Sequence, residues 1–360
     1  MKAVILVGGE GTRLRPMTCR TPKAMVPILN RPFLEHVLEY LGGYGVDHVI
    51  LALGYLPGPI SGYFGDGERG GMKITYMVED SPLGTAGALK HVASHLNDTF
   101  FVLNGDVFTD FDLGAMLTLH REQHAWGTIA LTSVEDPSAF GVVETDGQGR
   151  VGKFVEKPAR DEARTNMINA GIYLLEPRVL ERVPAEGFFM FERDLFPLLL
   201  GEGAPIYGYA ARGYWIDMGT PEKYLSLNHD LLRKGPPRAP GEESSIHSSA
   251  RLSPPVLVGP GCDLGPRVRI AGPAVLGPGC RVGAGSAIDR AVLWAGVRVG
   301  AGSTLGSCTL AAGSHIGDRC SLGDGCVVGE GATVANDSNL GVGTRVWPEG
   351  YLEAPLQEKS

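Results

Sequence analysis

The chain is poor in the features that mark membrane proteins, nucleic-acid binders and disulfide scaffolds. Charged residues make up 20% of its 360 positions, and 40 Asp and Glu outnumber 32 Lys and Arg. The resulting formal charge of −8 argues against a nucleic-acid or anionic-membrane surface, since both favour basic patches. It leaves room for a small cationic pocket. No apolar run approaches the length of a membrane span, and the opening "MKAVILV" lacks the length and cleavage pattern of a signal peptide. These absences predict a cytoplasmic protein with no nucleic-acid and no membrane partner. The six cysteines include no CxxC pair, and no Cys/His cluster has a zinc-binding spacing.

Glycine, by contrast, is abundant at 52 residues. From residue 246 onward an aliphatic residue recurs every six positions, usually followed by glycine and then by small or polar residues. The series runs Ile246, Leu252, Val258, Leu264, Ile270, Leu276, Val282, Ile288 and Trp294. After an irregular stretch it resumes at Ile316, Leu322, Val328, Val334, Leu340 and Val346. A six-residue period predicts a left-handed parallel β-helix of hexapeptide repeats, with the aliphatic side chain pointing inward and a small residue four positions later filling the corner. Cys262, Cys280, Cys320 and Cys326 fall on that small position, beside Ala274, Ser286 and Ala332. They are read as small core hydrophobes rather than metal ligands. Cys19 and Cys308 receive no role.

The first 232 residues follow another grammar. Strand-like runs at 2–7, 48–53, 73–79, 100–104 and 127–134 alternate with helix-like ones at 33–41 and 85–96, where Thr85 stands as a candidate N-cap. This alternation predicts an α/β, Rossmann-like domain with a mainly parallel sheet, whose ligands bind at the carboxyl ends of the strands. The reading therefore divides the chain into a catalytic domain at 1–232, a Pro/Gly/Ser-rich linker at 233–245, a β-helix at 246–347 and a tail at 348–360.

The candidate chemistry starts where the first strand ends. In "VGGEGTRLRP" (7–16), Gly8, Gly9 and Gly11 let backbone N–H groups approach an anion, and Thr12, Arg13, Arg15 and then Lys23 of "TPKAMVP" add donors and charge. The loop is neither a Walker A motif nor a GxGxxG fingerprint, because no Gly-Lys-Ser/Thr follows and Leu14 stands where glycine is needed. A nucleoside triphosphate is the economical ligand, with Arg13 and Lys23 on its β- and γ-groups. Asp106 in "LNGDV" and Asp217 in "YWIDMGTPEKY" both follow apolar runs and suit one Mg²⁺, which takes few protein oxygens. Glu156 and Lys157 of "FVEKP" pair a carboxylate for sugar hydroxyls with an ammonium for a phosphate.

Together, "GGEGTRLRPMTCRTPKAMVP", "PLGTAGAL", "LNGDV", "FGVVE", "FVEKP", "NAGIY" and "YWIDMGTPEKY" resemble the sugar-1-phosphate nucleotidyltransferases. More closely, they are similar to mannose-1-phosphate guanylyltransferases that carry a C-terminal hexapeptide domain. The resemblance implies transfer of a nucleotidyl group from GTP to mannose 1-phosphate, with Mg²⁺ as cofactor and pyrophosphate as second product. It places Leu6, Gly8, Gly9, Gly11, Thr12, Arg13, Lys23, Gly84, Thr85, Asn104 and Asp106 about the nucleotide, with the glycine loop, Arg13 and Lys23 on the triphosphate and Gly84 and Thr85 in the segment that meets the base. The metal falls to Asp106 and Asp217, and the sugar phosphate to Gly141, Glu156, Lys157, Asn169 and Gly171. Arg13, Lys23 and Lys157 are the implied catalytic side chains. Another hexose-like or cyclitol 1-phosphate, or a thymidylyl or uridylyl transfer to glucose 1-phosphate, stays open. So do two rivals: an acyltransferase using His315, and a regulatory paralogue without chemistry. The β-helix is expected to build a homo-oligomer.

Overall fold

The computed structural model describes residues 1–236 and 239–352. Residues 237 and 238 of the expected linker, and 353–360 of the expected tail, lie outside the described residues. Down the chain, β1 (Lys2–Val7) leads to the hairpin strands β2 (Pro27–Ile28) and β3 (Arg31–Pro32), then α1 (Phe33–Gly42), β4 (His48–Leu53) and α2 (Pro57–Phe64). Next come β5 (Glu68–Arg69), β6 (Met72–Val78), α3 (Gly84–His91), β7 (Phe100–Asn104), β8 (Val107–Thr109), α4 (Leu113–Glu122) and β9 (Gly127–Ser133). They are followed by β10 (Gly141–Thr145), β11 (Val151–Glu156), β12 (Met167–Leu175), α5 (Phe196–Gly201), β13 (Ile206–Ala210), β14 (Trp215–Asp217) and α6 (Pro221–Lys234). The chain falls into two units. The first holds Met1–Glu10 and Leu34–Asp217; the second holds Gly11–Phe33 and everything from Met218 onward.

In the first unit β7, β1, β4 and β6 lie side by side and parallel. Their near-continuous apolar sequences reflect cover on both faces: Ala3, Val4 and Ile5 of β1 and Phe100 and Val102 of β7 are wholly buried. Antiparallel strands extend this parallel core. β12 pairs with β7, β9 and β10, and β10 pairs with β11. The register of β12 against β9 shifts between Asn169 and Tyr173. Such a break re-aims side chains, and it falls on the "NAGIY" motif. Thr85 is not the cap of α3. Leu83 occupies the N-cap position with no side-chain bond, and the first-turn amides of Ala86 and Gly87 donate to Phe189 O at 3.0 Å. Gly84 begins the helix at φ +75°, and a Cβ there would lie 2.6 Å from Phe189 O, so the turn needs glycine.

In the second unit three ladders of short parallel strands close a β-helix. One ladder stacks Ile246, Leu264, Val282, Val299, Ile316, Val334 and Leu352. The second stacks Leu252, Ile270, Ile288, Leu305, Leu322 and Leu340. The third pairs Leu276 with Leu293, not with the expected Trp294, and Leu293 with Leu310. The irregular stretch is thus ordinary coil with two five-residue steps, Ile288 to Leu293 and Leu305 to Leu310. Trp294 leaves the stack and donates its indole N–H to Tyr224 OH at 2.8 Å. Cys262, Cys280, Cys320 and Cys326 lie in the core with Cys308, all unpaired as disulfides. Cys262, Cys280, Ser286 and Ser303 also direct their side-chain protons to carbonyls of the following coil, Gly277, Trp294, Gly300 and Gly317. α6 is capped by Thr220, whose hydroxyl accepts from Lys223 N. No helix among the described residues is long and apolar enough to cross a membrane.

Candidate functional site

The carboxyl ends of β1 and β7 are tied together. Leu6 and Asn104 are ladder partners, and Gly105 N donates to Leu6 O at 2.9 Å. A Cβ on Gly105 would stand 2.5 Å from Leu6 O, which explains the Asn-Gly-Asp spelling of this exit. Gly8 O accepts from Tyr55 N at 3.3 Å, joining the end of β4 to the same edge. Gly171, at φ +75°, closes on Asn104: a Cβ there would meet Asn104 Nδ2 at 2.7 Å. Asn104 Oδ1 is buried with no hydrogen-bond partner among the described residues. Burial of a bare acceptor is costly, which keeps Asn104 among the candidate ligand contacts.

The two aspartates meet through a small ladder. β14 runs antiparallel to β8 with Asp217 opposite Val107, one residue from Asp106. Separated by 111 positions in sequence, they become near neighbours in the fold. No group of three or more His, Cys, Asp or Glu among the described residues could hold a metal. Two carboxylates alone fit a hard divalent ion that completes its shell with phosphate and water oxygens. They do not fit zinc, which takes nitrogen and sulfur ligands in closed protein sites.

The sugar-side candidates also come together in the first unit. Gly141 pairs with Glu156, and a Cβ on Gly141 would lie 3.0 Å from Glu156 Oε2. Lys157 takes a left-handed conformation, φ 47°, held by its N–H donating to Phe140 O at 3.0 Å. For a lysine this conformation costs about 1–2 kcal/mol. Its Nζ stands 3.5 Å from Glu156 Oε1, with the lysine side chain 58% exposed. The adjacent β10–β11 hairpin thus presents a strained cation beside a carboxylate.

Asn169 receives Gly171 N on Oδ1 at 3.0 Å and donates from Nδ2 to Tyr173 OH at 2.8 Å. Tyr173 OH donates onward to Glu192 Oε1 at 3.4 Å, and Thr85 Oγ1 donates to Glu192 Oε2 at 3.4 Å. Burial, reinforced by repulsion from Glu156, pushes the Glu192 carboxyl above the ordinary range. Burial and the Glu192 charge likewise raise the Tyr173 hydroxyl, which therefore stays protonated. Thr85 and Asn169, assigned to nucleotide and sugar, are thereby linked through Tyr173 and Glu192. The sequence reading missed both. Glu192 sits on a π-helical turn, Phe191–Leu195, and π-turns recur at functional sites. Its signal was a lone acid flanked by the aromatics of "FFMFE".

Gly11, Thr12, Arg13 and Lys23 belong to the second unit. Thr12–Leu14 form a 3₁₀ turn, and Gly11 O accepts from Leu14 N at 2.9 Å and from Thr18 Oγ1 at 2.8 Å. Gly11 (φ 62°) packs so near Lys23 that a Cβ would lie 3.2 Å from Lys23 Cβ. Arg13 is exposed and Lys23 half-buried. His315 is exposed on a β-helix face between Arg298 and Thr333, with no second histidine in its ladder.

Residues 2–234 match the family model "Nucleotidyl transferase", and residues 240–340 match "EIF2B subunit epsilon LbH domain". The chain is 46% identical over 233 residues to a mannose-1-phosphate guanylyltransferase of Mycobacterium tuberculosis (strain ATCC 25618 / H37Rv), covering 64% of each chain. It is 39% identical over 248 residues to a UTP–glucose-1-phosphate uridylyltransferase of Synechocystis sp., covering 65% of this chain and 64% of that one. The match thus spans just under two thirds of the length of these curated relatives. Among solved structures, HddC from Yersinia pseudotuberculosis superposes with a TM-score of 0.56 at 31% identity, covering 64% of this chain and 99% of HddC. A second HddC structure, complexed with GMP-PN, matches equally.

Proposed function

Because the chain belongs to the nucleotidyl transferase family, we propose that it transfers a nucleotidyl group from a nucleoside triphosphate to a sugar 1-phosphate, releasing pyrophosphate. The preferred pair is GTP and mannose 1-phosphate. The name of the Mycobacterium tuberculosis relative and the GMP-PN complex of HddC support guanine, and that relative's name supports mannose. The observation that carries the chemistry is the β8–β14 ladder, which sets Asp217 beside the Asp106 exit.

A sugar phosphate has a second pKa of about 6, so its attacking oxygen is already ionised at neutral pH and needs no general base. That oxygen forms a bond to the α-phosphorus while the α–β anhydride bond breaks and its electron pair leaves with pyrophosphate. Lys157 steers the incoming phosphate against charge repulsion, and Glu156 and Asn169 orient the sugar hydroxyls. Leu6, Gly8, Gly9, Gly84, Thr85 and Asn104 hold the nucleoside end and its phosphates. Arg13 and Lys23 neutralise the departing pyrophosphate, assisted by the amides of Gly11 and Thr12. Asp106 and Asp217 would hold Mg²⁺, which when bound neutralises phosphate charge. Self-association is assigned to the β-helix, whose flat, repetitive faces suit contact with a second copy.

A matrix of GTP, UTP, dTTP and ATP against mannose, glucose and cyclitol 1-phosphates tests the reading, with pyrophosphate release as readout. GTP with mannose 1-phosphate should lead by about tenfold or more in kcat/KM, since a buried base-edge group left unpaired costs about 1–3 kcal/mol. A lead for dTTP or UTP with glucose 1-phosphate would move the assignment to that branch. No release with any pair would favour the regulatory reading.

A further inference from the structure

The segment Gly11–Phe33, which carries Arg13 and Lys23, is attached to its own unit in two ways. Near its hairpin the attachment is buried. Tyr224 OH donates to Pro27 O at 2.7 Å, Leu29 N donates to Asn228 Oδ1 at 2.9 Å, and Asn30 Nδ2 donates to Leu276 O at 2.8 Å. Trp294, displaced from the core by the five-residue step, completes this set through Tyr224. Such bonds fix the foot of the segment on α6 and the third β-helix face. Between the two cations the attachment is different. Arg345 Nη1 donates to Arg15 O at 3.0 Å across 330 residues of sequence, and Arg20 Nη1 pairs with Glu349 Oε1 at 2.6 Å. Glu330, one coil earlier, adds its charge toward Arg20. The Arg20–Glu349 pair is exposed, 47% and 67%, and so adds little to global stability. Its position gives it another consequence: Arg15 lies two residues after Arg13, and Arg20 lies three before Lys23.

We propose that Arg345 and Glu349, on the last β-helix coil, are positioning residues that latch the 15–20 stretch so that Arg13 and Lys23 meet the triphosphate in a prearranged geometry. The proposal rests on the reading of Arg13 and Lys23 as phosphate ligands. The latch touches no substrate. It reduces the ordering that the loop undergoes when the nucleotide arrives. The β-helix then contributes to catalysis as well as to assembly.

The test uses the full-length chain and the triphosphate turned over best, GTP by our reading. Glu349→Arg and Arg345→Ala should each raise KM for GTP by about threefold to tenfold, the span of an exposed ion pair or one charge-assisted bond. KM for mannose 1-phosphate and the thermal melt should stay within error. Hydrogen exchange of residues 11–25 should quicken in both variants. The exchanged pair, Arg20→Glu with Glu349→Arg, should recover most of the GTP KM, which a merely structural lesion would not do. Unchanged GTP KM and unchanged exchange in both single variants would overturn the latch. So would equal rises in KM for both substrates. Arg13→Ala separates the two ideas: if it leaves GTP KM unaltered, the phosphate-ligand reading fails, and the exchange data still decide whether residues 345 and 349 hold the loop.

Discussion

The α/β unit and the β-helix bury apolar side chains to a similar degree, but they use irregularity in opposite ways. In the first unit many candidate residues sit where a strand stops or changes register: Gly8 after β1, Asp106 after β7, Asn169 and Gly171 at the break in β12, Lys157 in a left-handed turn. In the β-helix the ladders repeat with little variation, and the two shortened steps disturb the core so slightly that Leu293 and Leu310 remain wholly buried. The one visible effect of the first step is outward, where Trp294 reaches Tyr224. Regular pairing supplies the frame, and these candidate residues fall where pairing stops.

The sharpest way to break that contrast is to damage each region separately. Asp106→Asn and Asp217→Asn should each lower kcat on the order of a thousandfold at saturating Mg²⁺, because the lost charge stabilisation amounts to several kcal/mol. The melt of the metal-free protein should stay nearly unchanged. Near-parental turnover in either variant would remove the shared metal site. Leu293→Ala should do the converse. It empties a core position and should cost about 2–5 kcal/mol in denaturant unfolding, with kcat preserved well below the transition. Loss of less than about 1 kcal/mol would show that Trp294 or another side chain can take the ladder position after all.

Glu192→Gln should have the smallest effect and blurs the division, since Glu192 serves both the packing of the π-turn and the Thr85–Asn169 link. A carboxyl raised in the folded state binds its proton more tightly there than in the unfolded chain. Its contribution is therefore full below the ordinary value of 4.5 and is lost as pH rises through the folded pKa. The glutamine variant cannot ionise. Its Tm should exceed the parent's by a few degrees at neutral pH, and the two should converge in acid. Parallel Tm curves across that range would mean that burial of Glu192 carries no protonation penalty.

Strand and helix types in the first unit were legible because the buried parallel strands are long unbroken apolar runs, as in "FFVLN". The hexapeptide ladders were legible because each inward position repeats in the chain itself. Trp294 was misread for the same reason. A fixed period has no means of registering a deletion, and a large apolar side chain at the anticipated spacing looks like core. Thr85 was misread because an N-cap preference is local, whereas the hydroxyl was taken by Phe191 N and Glu192 from far along the chain. The closeness of Gly171 to Asn104, and of Arg15 to Arg345, had no local signature at all. Contacts of that kind depend on how the chain returns, and neither periodicity nor propensity encodes the return.

The last coil also has a peculiar place in its stack. Among the described residues, Asn339–Leu340, Arg345–Val346 and Tyr351–Leu352 are the last strands of the three ladders, each paired there with the strand one coil earlier. In a quasi-one-dimensional array each coil is held by its immediate neighbours, so unfolding starts at the ends and works inward. The coil bearing Arg345 and Glu349 therefore depends on the coil bearing Val327 and Glu330, against which it is paired. Denaturant that loosens this coil should release the 15–20 stretch of the Gly11–Phe33 segment, and on the proposed reading of Arg13 and Lys23 nucleotide affinity would fall while most of the fold was still intact.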